Sequence, residues 1–208
     1  MNIYKPMIHL AKEVSTIPEV FPQDTIQGIA LHSIHQNGLE AEKVEMSSCE
    51  VKNCQMVYCN FSNSSFCDVI FENCDFSNTN FSNSSLIRTH FLNCKLVGCN
   101  FSGTFWYHAC LEEIQGKYSN FSTASFKNVL WKKSDLTGSS IQEATLKEFY
   151  TQDCNWNGSS FFRTTLNGID FRTSQIEGIV VQIEDVKGCT VTPMQAVDLA
   201  ELMGLIVK

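Results

Sequence analysis

Ten cysteines and five histidines among 208 residues are the side chains here best suited to metal, thiol or acid–base chemistry. Cys49, Cys54 and Cys59 follow one another at intervals of five, and Cys54, Cys74 and Cys94 at intervals of 20. Zinc motifs instead use close pairs that fold back on one another. The histidines are scattered, and His32-Ser33-Ile34-His35 lacks the glutamate and the helix of a metalloprotease motif. A glycine-rich phosphate loop and a nucleophile elbow are both missing. The sequence therefore indicates no enzyme, no metal ligand set and no cofactor, and its many serines read as turn and wall residues.

The elements that carry these side chains follow an unusual period. Over residues 21–191 an apolar residue, usually large, recurs at every fifth position, broken by Gln36, Gly116 and Thr151. A helix repeats near 3.6 residues and a strand near 2, so neither template fits. Two positions before each large residue the chain is usually small or β-branched, as at Cys54, Cys59, Ser64, Val69 and Thr79. Eight cysteines (49, 54, 59, 74, 94, 99, 154 and 189) take this inward place and act as small hydrophobes. A second period overlies the first, because Asn60-Phe61-Ser62 returns at Asn80, Asn100 and Asn120, 20 residues apart each time. Four units of five make one coil, with residues 20 apart stacked at the strand spacing of ~4.8 Å. This predicts an all-β solenoid. Its interior column is Phe61, Phe81, Phe101, Phe121, Ile141 and Phe161, and Asn60, Asn80, Asn100 and Asn120 form an outward amide ladder.

Cys99-Asn100-Phe101-Ser102-Gly103 and Ser134-Asp135-Leu136-Thr137-Gly138 make the sequence resemble the pentapeptide-repeat proteins. The resemblance implies a right-handed quadrilateral parallel β-helix. Residues 1–20 form an irregular or edge-strand lead-in, 21–191 the β-helix, and 192–208 a terminal segment. Glu112, Glu113 and Gly116 mark a candidate bulge or projecting loop within 108–118, since Gly116 vacates a core step and Ile114 puts bulk at a small one. Thr192 reads as an N-cap, Pro193 as the first helical residue and Gly204 as the stop, which places a short α-helix near 193–203. Its apolar arc includes Met194, Val197, Leu199, Leu202 and Met203, wider than sealing one coil requires. With Leu205 and Ile206 as part of an edge strand, this arc predicts a homodimer through the C-terminus.

The formal charge of −7 disfavours nucleic acid as a direct ligand. No stretch is long enough to span a bilayer and no secretory signal is evident, so the expected setting is cytoplasmic, without membrane contact. Charge is banded: residues 40–75 carry net −5, 88–133 net +4 and 135–208 net −5. The C-terminal run resembles the tail of the quinolone-resistance (Qnr-type) members of the family. That resemblance implies a non-enzymatic dimer that binds DNA gyrase or topoisomerase IV as a DNA mimic and protects it from quinolones. Asp153, Asp170, Glu177, Glu184 and Asp185 are the acidic partner surface on this reading. The alternative is a rigid scaffold for an unrelated protein.

Overall fold

A chain that encloses four sides in 20 residues must turn a corner every fifth residue, and here the corner is a left-handed residue. Twenty-two non-glycine residues from Ser33 to Arg163 have φ of 49–61°, all at the same step of the repeat, and glycines such as Gly98, Gly103 and Gly138 fill intervening corners. Most side chains pay a steric cost there, whereas asparagine and glycine tolerate it. Hence Asn53, Asn63, Asn73, Asn78, Asn83 and Asn93 occupy corners.

The computed structural model describes residues 3–14, 25–200 and 204–206; Phe21, the first step of the repeat, lies outside them. The strands are β1 (Lys12–Val14), β2 (Thr25–Gln27), β3 (Ile29–His32), β4 (Glu45–Lys52), β5 (Ser65–Glu72), β6 (Ser85–Leu92), β7 (Phe105–Glu112), β8 (Ser125–Lys132) and β9 (Thr145–Gln152), followed by the helix α1 (Pro193–Ala200). All strand pairs are parallel, and from Thr25↔Glu45 to Asp170↔Thr190 each residue pairs with the one 20 positions on. Strands β4 to β9 each bend at a central corner and so cover two sides of a coil. The other two sides are held by single bridges such as Gln55↔Asp75 and Asn60↔Asn80.

The interior is one continuous cluster of the large and small inward positions. Phe81, Phe101 and Phe121 stack nearly flat, with centroids 4.9 and 5.1 Å apart, and Phe61 lies 5.5 Å from Phe81. Ile141 and Phe161 are buried farther along the same column. The small position has a second use: its hydroxyl or thiol donates to a carbonyl 23 residues earlier. Thr79 Oγ1 donates to the Met56 carbonyl at 2.7 Å, Ser84 Oγ to Phe61 at 2.9 Å and Ser159 Oγ to Leu136 at 2.8 Å. Coils are thereby tied by side chains as well as by the backbone ladder.

The breaks in the apolar step have local causes. Thr151 Oγ1 accepts the buried indole N–H of Trp156 at 2.8 Å, so a polar atom is wanted there. Gly116 leaves no void: a Cβ added to it would lie 2.5 Å from Leu136 Cδ2 and 3.5 Å from Ile114 Cγ2. Ile114 and Leu136 supply the volume that Gly116 lacks. The expected bulge at Glu112, Glu113 and Gly116 consequently does not form. Glu112 pairs with Lys132, Gln115 bridges Asp135, and the coil keeps its register.

The described lead-in is a strap along one corner of the solenoid. β1 pairs parallel with β3, and the Ala11 N–H donates to the Gly28 carbonyl at 2.6 Å. Gly28 must stay bare, because a Cβ would lie 2.9 Å from the His9 carbonyl oxygen. Farther along, Ser48 Oγ donates to the Met7 carbonyl and the Met7 N–H donates to Asp68 Oδ1 at 2.9 Å. The Tyr4 ring lies 4.4 Å from that of His108. Residues 28, 48, 68 and 108 share one corner column, so the strap spans several coils.

Candidate partner surface

Outward residues form columns, and the columns decide what each side offers. On one side, Asn80 Nδ2 donates to Asn60 Oδ1 at 3.1 Å, Asn100 to Asn80 at 3.2 Å and Asn120 to Asn100 at 3.3 Å. Each amide oxygen also accepts the N–H two residues on, as Asn100 does from Ser102 at 3.1 Å. The Asn-Phe-Ser repeat is thus an amide ladder joined to a row of Asx turns. From Asn60 to Asn120 that side is uncharged and largely satisfied, and at its N-terminal end Asn60 Nδ2 donates to Glu40 and Glu42.

Charge on the other sides is paired along the axis. Arg88 grips Asp68 with Nε at 2.7 Å from Oδ1 and Nη2 at 2.6 Å from Oδ2. Burial raises the Asp68 carboxyl, but the Arg88 guanidinium and the Met7 N–H together hold it below the usual carboxylate range. Lys95 pairs with Asp75, Lys117 with Asp135, Lys132 with Glu112 and Lys133 with Glu113. Lys127 lies over the Tyr107 ring, 5.0 Å from its centroid. Five of the six cations in the basic band are therefore matched by carboxylates of adjacent coils.

The acidic residues of the C-terminal third fare differently. Asp153, Glu177 and Glu184 are exposed, and no cation among the described residues pairs with them. Asp170 is bound to Arg172 through both oxygens, at 2.9 and 2.7 Å, and this ion pair lowers its pKa. Asp185 is a correction: it is 8% exposed, and its carboxylate accepts the N–H groups of Arg163 and Gln182. It braces a turn and presents no partner surface. Asp153 stands at a corner, with Asp170 on the side before it and Glu177 on the side after it, so these acids wrap an edge.

At the C-terminus, Thr192 and Gln195 close a reciprocal cap: the Gln195 N–H donates to Thr192 Oγ1 at 3.2 Å and the Thr192 N–H to Gln195 Oε1 at 2.8 Å. Gln195 Nε2 also donates to the carbonyls of Phe171 and Ser174, which fastens α1 to the last coils. Leu199 packs on the core cluster. Between helix and solenoid remains an apolar groove of ≈ 260 Å³ lined by residues including Ile183, Val186 and Leu199. Met194, at 73% exposure, and Val197 face away from it, and Leu205 and Ile206 are exposed without forming a strand. Leu202 and Met203 lie outside the described residues.

One cluster escapes the five-residue count. His90, Cys110 and Glu112 place a ligand atom each within 4.8 Å of one another. His90 sits directly beside Cys110 in the β6–β7 register, and Glu112 is two residues on, facing the same way. Burial lowers the His90 pKa and pushes the Cys110 thiol up to about 11, whereas Lys132 lowers that of Glu112. The available signal was that Cys67 and Cys110 are the two cysteines off the inward positions, with His90 a full coil before Cys110.

No helix among the described residues is long and apolar enough to cross a membrane. Residues 64–137 match the family described as a pentapeptide repeat region. No curated protein matches the chain. Among solved structures, a trypsin-treated form of QnrB1, described as a plasmid-mediated fluoroquinolone resistance protein, is 20% identical over 98% of this chain and 99% of its own, with a TM-score of 0.50. Full-length QnrB1 aligns over 96% and 100% of the two chains at 20% identity and a TM-score of 0.40. HetL, a pentapeptide-repeat protein of the cyanobacterium Nostoc, is 12% identical over 80% of this chain and 86% of its own, with a TM-score of 0.28. With its five-residue repeat, its 20-residue register and this likeness of fold, the chain has the pentapeptide-repeat β-solenoid fold.

Proposed function

We propose that this chain is a non-enzymatic binding protein that pairs with a second copy through its C-terminal end and docks on DNA gyrase or topoisomerase IV in place of DNA. The observation that carries the reading is the pairing of the middle cations. Arg88, Lys95, Lys117, Lys132 and Lys133 are each matched by a carboxylate, which leaves the exposed acids of the C-terminal third to dominate the outward field. Two copies joined at that end bring those acids to the centre of a longer rod, opposite a cationic DNA-binding saddle. QnrB1, similar in fold, is a plasmid-mediated fluoroquinolone resistance protein, and this likeness supports the same reading.

Among the described residues, six of the twelve large exposed apolar side chains, Val180, Ile183, Met194, Val197, Leu205 and Ile206, belong to the last coils and tail. This concentration supports self-association there. Sedimentation equilibrium is expected to give a dimer that falls to a monomer in the double variant Met194→Asp, Val197→Asp. Purified protein is expected to relieve fluoroquinolone inhibition of gyrase supercoiling at low salt, and Asp153→Lys with Glu177→Lys to weaken that relief. Absence of relief over a wide concentration range refutes the topoisomerase reading.

A scaffold for an unrelated protein is the second reading, favoured by the amide side. Asn60, Asn80, Asn100 and Asn120 offer a flat, neutral, regularly spaced surface that electrostatic mimicry of DNA does not use.

A further inference from the structure

We propose that His90, Cys110 and Glu112 form a binding site for a borderline-soft divalent cation, zinc foremost, beneath the N-terminal strap. The three side chains project outward from the same side of adjacent strands, and their ligand atoms lie within 4.8 Å of one another. Zinc bonds of about 2.0–2.3 Å put the ligand atoms of a tetrahedral site roughly 3.3–3.8 Å apart. Binding therefore requires the side-chain tips to draw together by about 1 Å.

Independent observations point to a ligand here. His90 Nε2 is buried without a hydrogen-bond partner among the described residues. Buried polar atoms are ordinarily satisfied. His90 lines a cavity of ≈ 370 Å³ together with His108, Cys110 and Glu112, roofed by Ile3, Tyr4, Lys5 and Pro6. Lys132 Nζ holds Glu112 Oε1 at 2.7 Å and leaves the second oxygen for a metal. A carboxylate oriented by an outer partner is the usual arrangement around a bound ion.

The donor set selects the ion. One thiolate, one imidazole and one carboxylate suit zinc and its neighbours, whereas magnesium and calcium require oxygen donors. Thiolate and carboxylate together balance the charge of a divalent ion. The fourth position faces the cavity.

The test uses the full chain under reducing conditions, with zinc followed by calorimetry and cobalt(II) as the spectroscopic probe. The expected result is one ion per chain, with thiolate-to-cobalt charge-transfer absorption in the near ultraviolet. His90→Ala, Cys110→Ser and Glu112→Gln are each expected to weaken binding by about 10-fold or more, and Cys67→Ser to leave it unchanged. Cobalt binding without the thiolate band, equal binding by His90→Ala and wild type, or no binding at all overturns the proposal. If Cys110→Ser fails to fold, the wild-type cobalt spectrum and the Glu112→Gln affinity decide.

Discussion

Phe101 and Phe91 are both fully buried, yet replacing them by leucine is expected to cost different amounts. Phe101 is stacked between Phe81 at 4.9 Å and Phe121 at 5.1 Å, and its third ring neighbour is Trp106 at 5.3 Å. Phe91 is stacked on Phe71 at 4.5 Å and meets Trp106 at 5.9 Å, while its other vertical neighbour is Leu111. Phe→Leu removes the same atoms at both sites, so the transfer and cavity contributions nearly cancel in the comparison. What remains is one stacked ring pair, worth about 0.5–1.5 kcal/mol beyond buried area. Phe101→Leu should therefore destabilise the chain by that much more than Phe91→Leu. Urea unfolding, read by the buried tryptophans Trp106, Trp131 and Trp156, measures the difference as long as the m-values agree. Equal losses, or a larger loss for Phe91→Leu, would refute the claim that vertical stacking of residues 20 apart stabilises this core.

Three further outcomes follow from the corners, the ladder and the strap. Glu148 is an exposed corner residue at φ 52°, so Glu148→Gly relieves left-handed strain of about 1–2 kcal/mol against about 0.4–1 kcal/mol of added unfolded-state entropy. Its urea midpoint should rise, whereas Asn128→Gly, at a corner asparagine already tolerates, should shift it little. Asn100→Ala removes the acceptor for Ser102 N–H and two ladder bonds, and a loss of about 1–2 kcal/mol is expected after water replaces part of them. Asp68 has a folded pKa below its unfolded value, so its contribution is complete above about pH 4 and is lost as pH falls through the folded pKa. Hydrogen exchange at Met7 should accelerate over that acid range before the coils unfold, and Asp68→Asn should abolish this pH dependence.

The inward half of this protein was readable because the coil converts spacing into contact. Phe81 and Phe101 are 20 apart and therefore touch, and the same rule would have paired Asp68 with Arg88, Asp75 with Lys95 and Glu113 with Lys133. Banding charge by sequence segment missed this, since a segment sums charges on different sides and separates partners one coil apart. The corners were also legible: Asn53, Asn63, Asn73, Asn83 and Asn93 share the step that needs positive φ. Gly116 was misread because its neighbour Leu136 belongs to the next coil, so a count along the chain sees a vacancy that the vertical neighbour fills. Asp185 misled because net charge carries no information about burial, and the irregular last coil turns this carboxylate toward the N–H groups of Arg163 and Gln182.

The strap marks where the rule stops. Tyr4 meets His108, 104 residues away, and residues 3–14 have no repeat from which a register could be inferred. Yet the strap determines which outward side chains are exposed. Without it Asp68 and His108 would stand at an open corner, and the His90, Cys110 and Glu112 cluster would line an open side. With it they are roofed by residues 3–7. Repetition makes one coil predict the next, so whatever distinguishes this solenoid from another must come from parts that do not repeat. Here those parts are the N-terminal strap, which roofs the His90, Cys110 and Glu112 cluster, and the capped C-terminal helix.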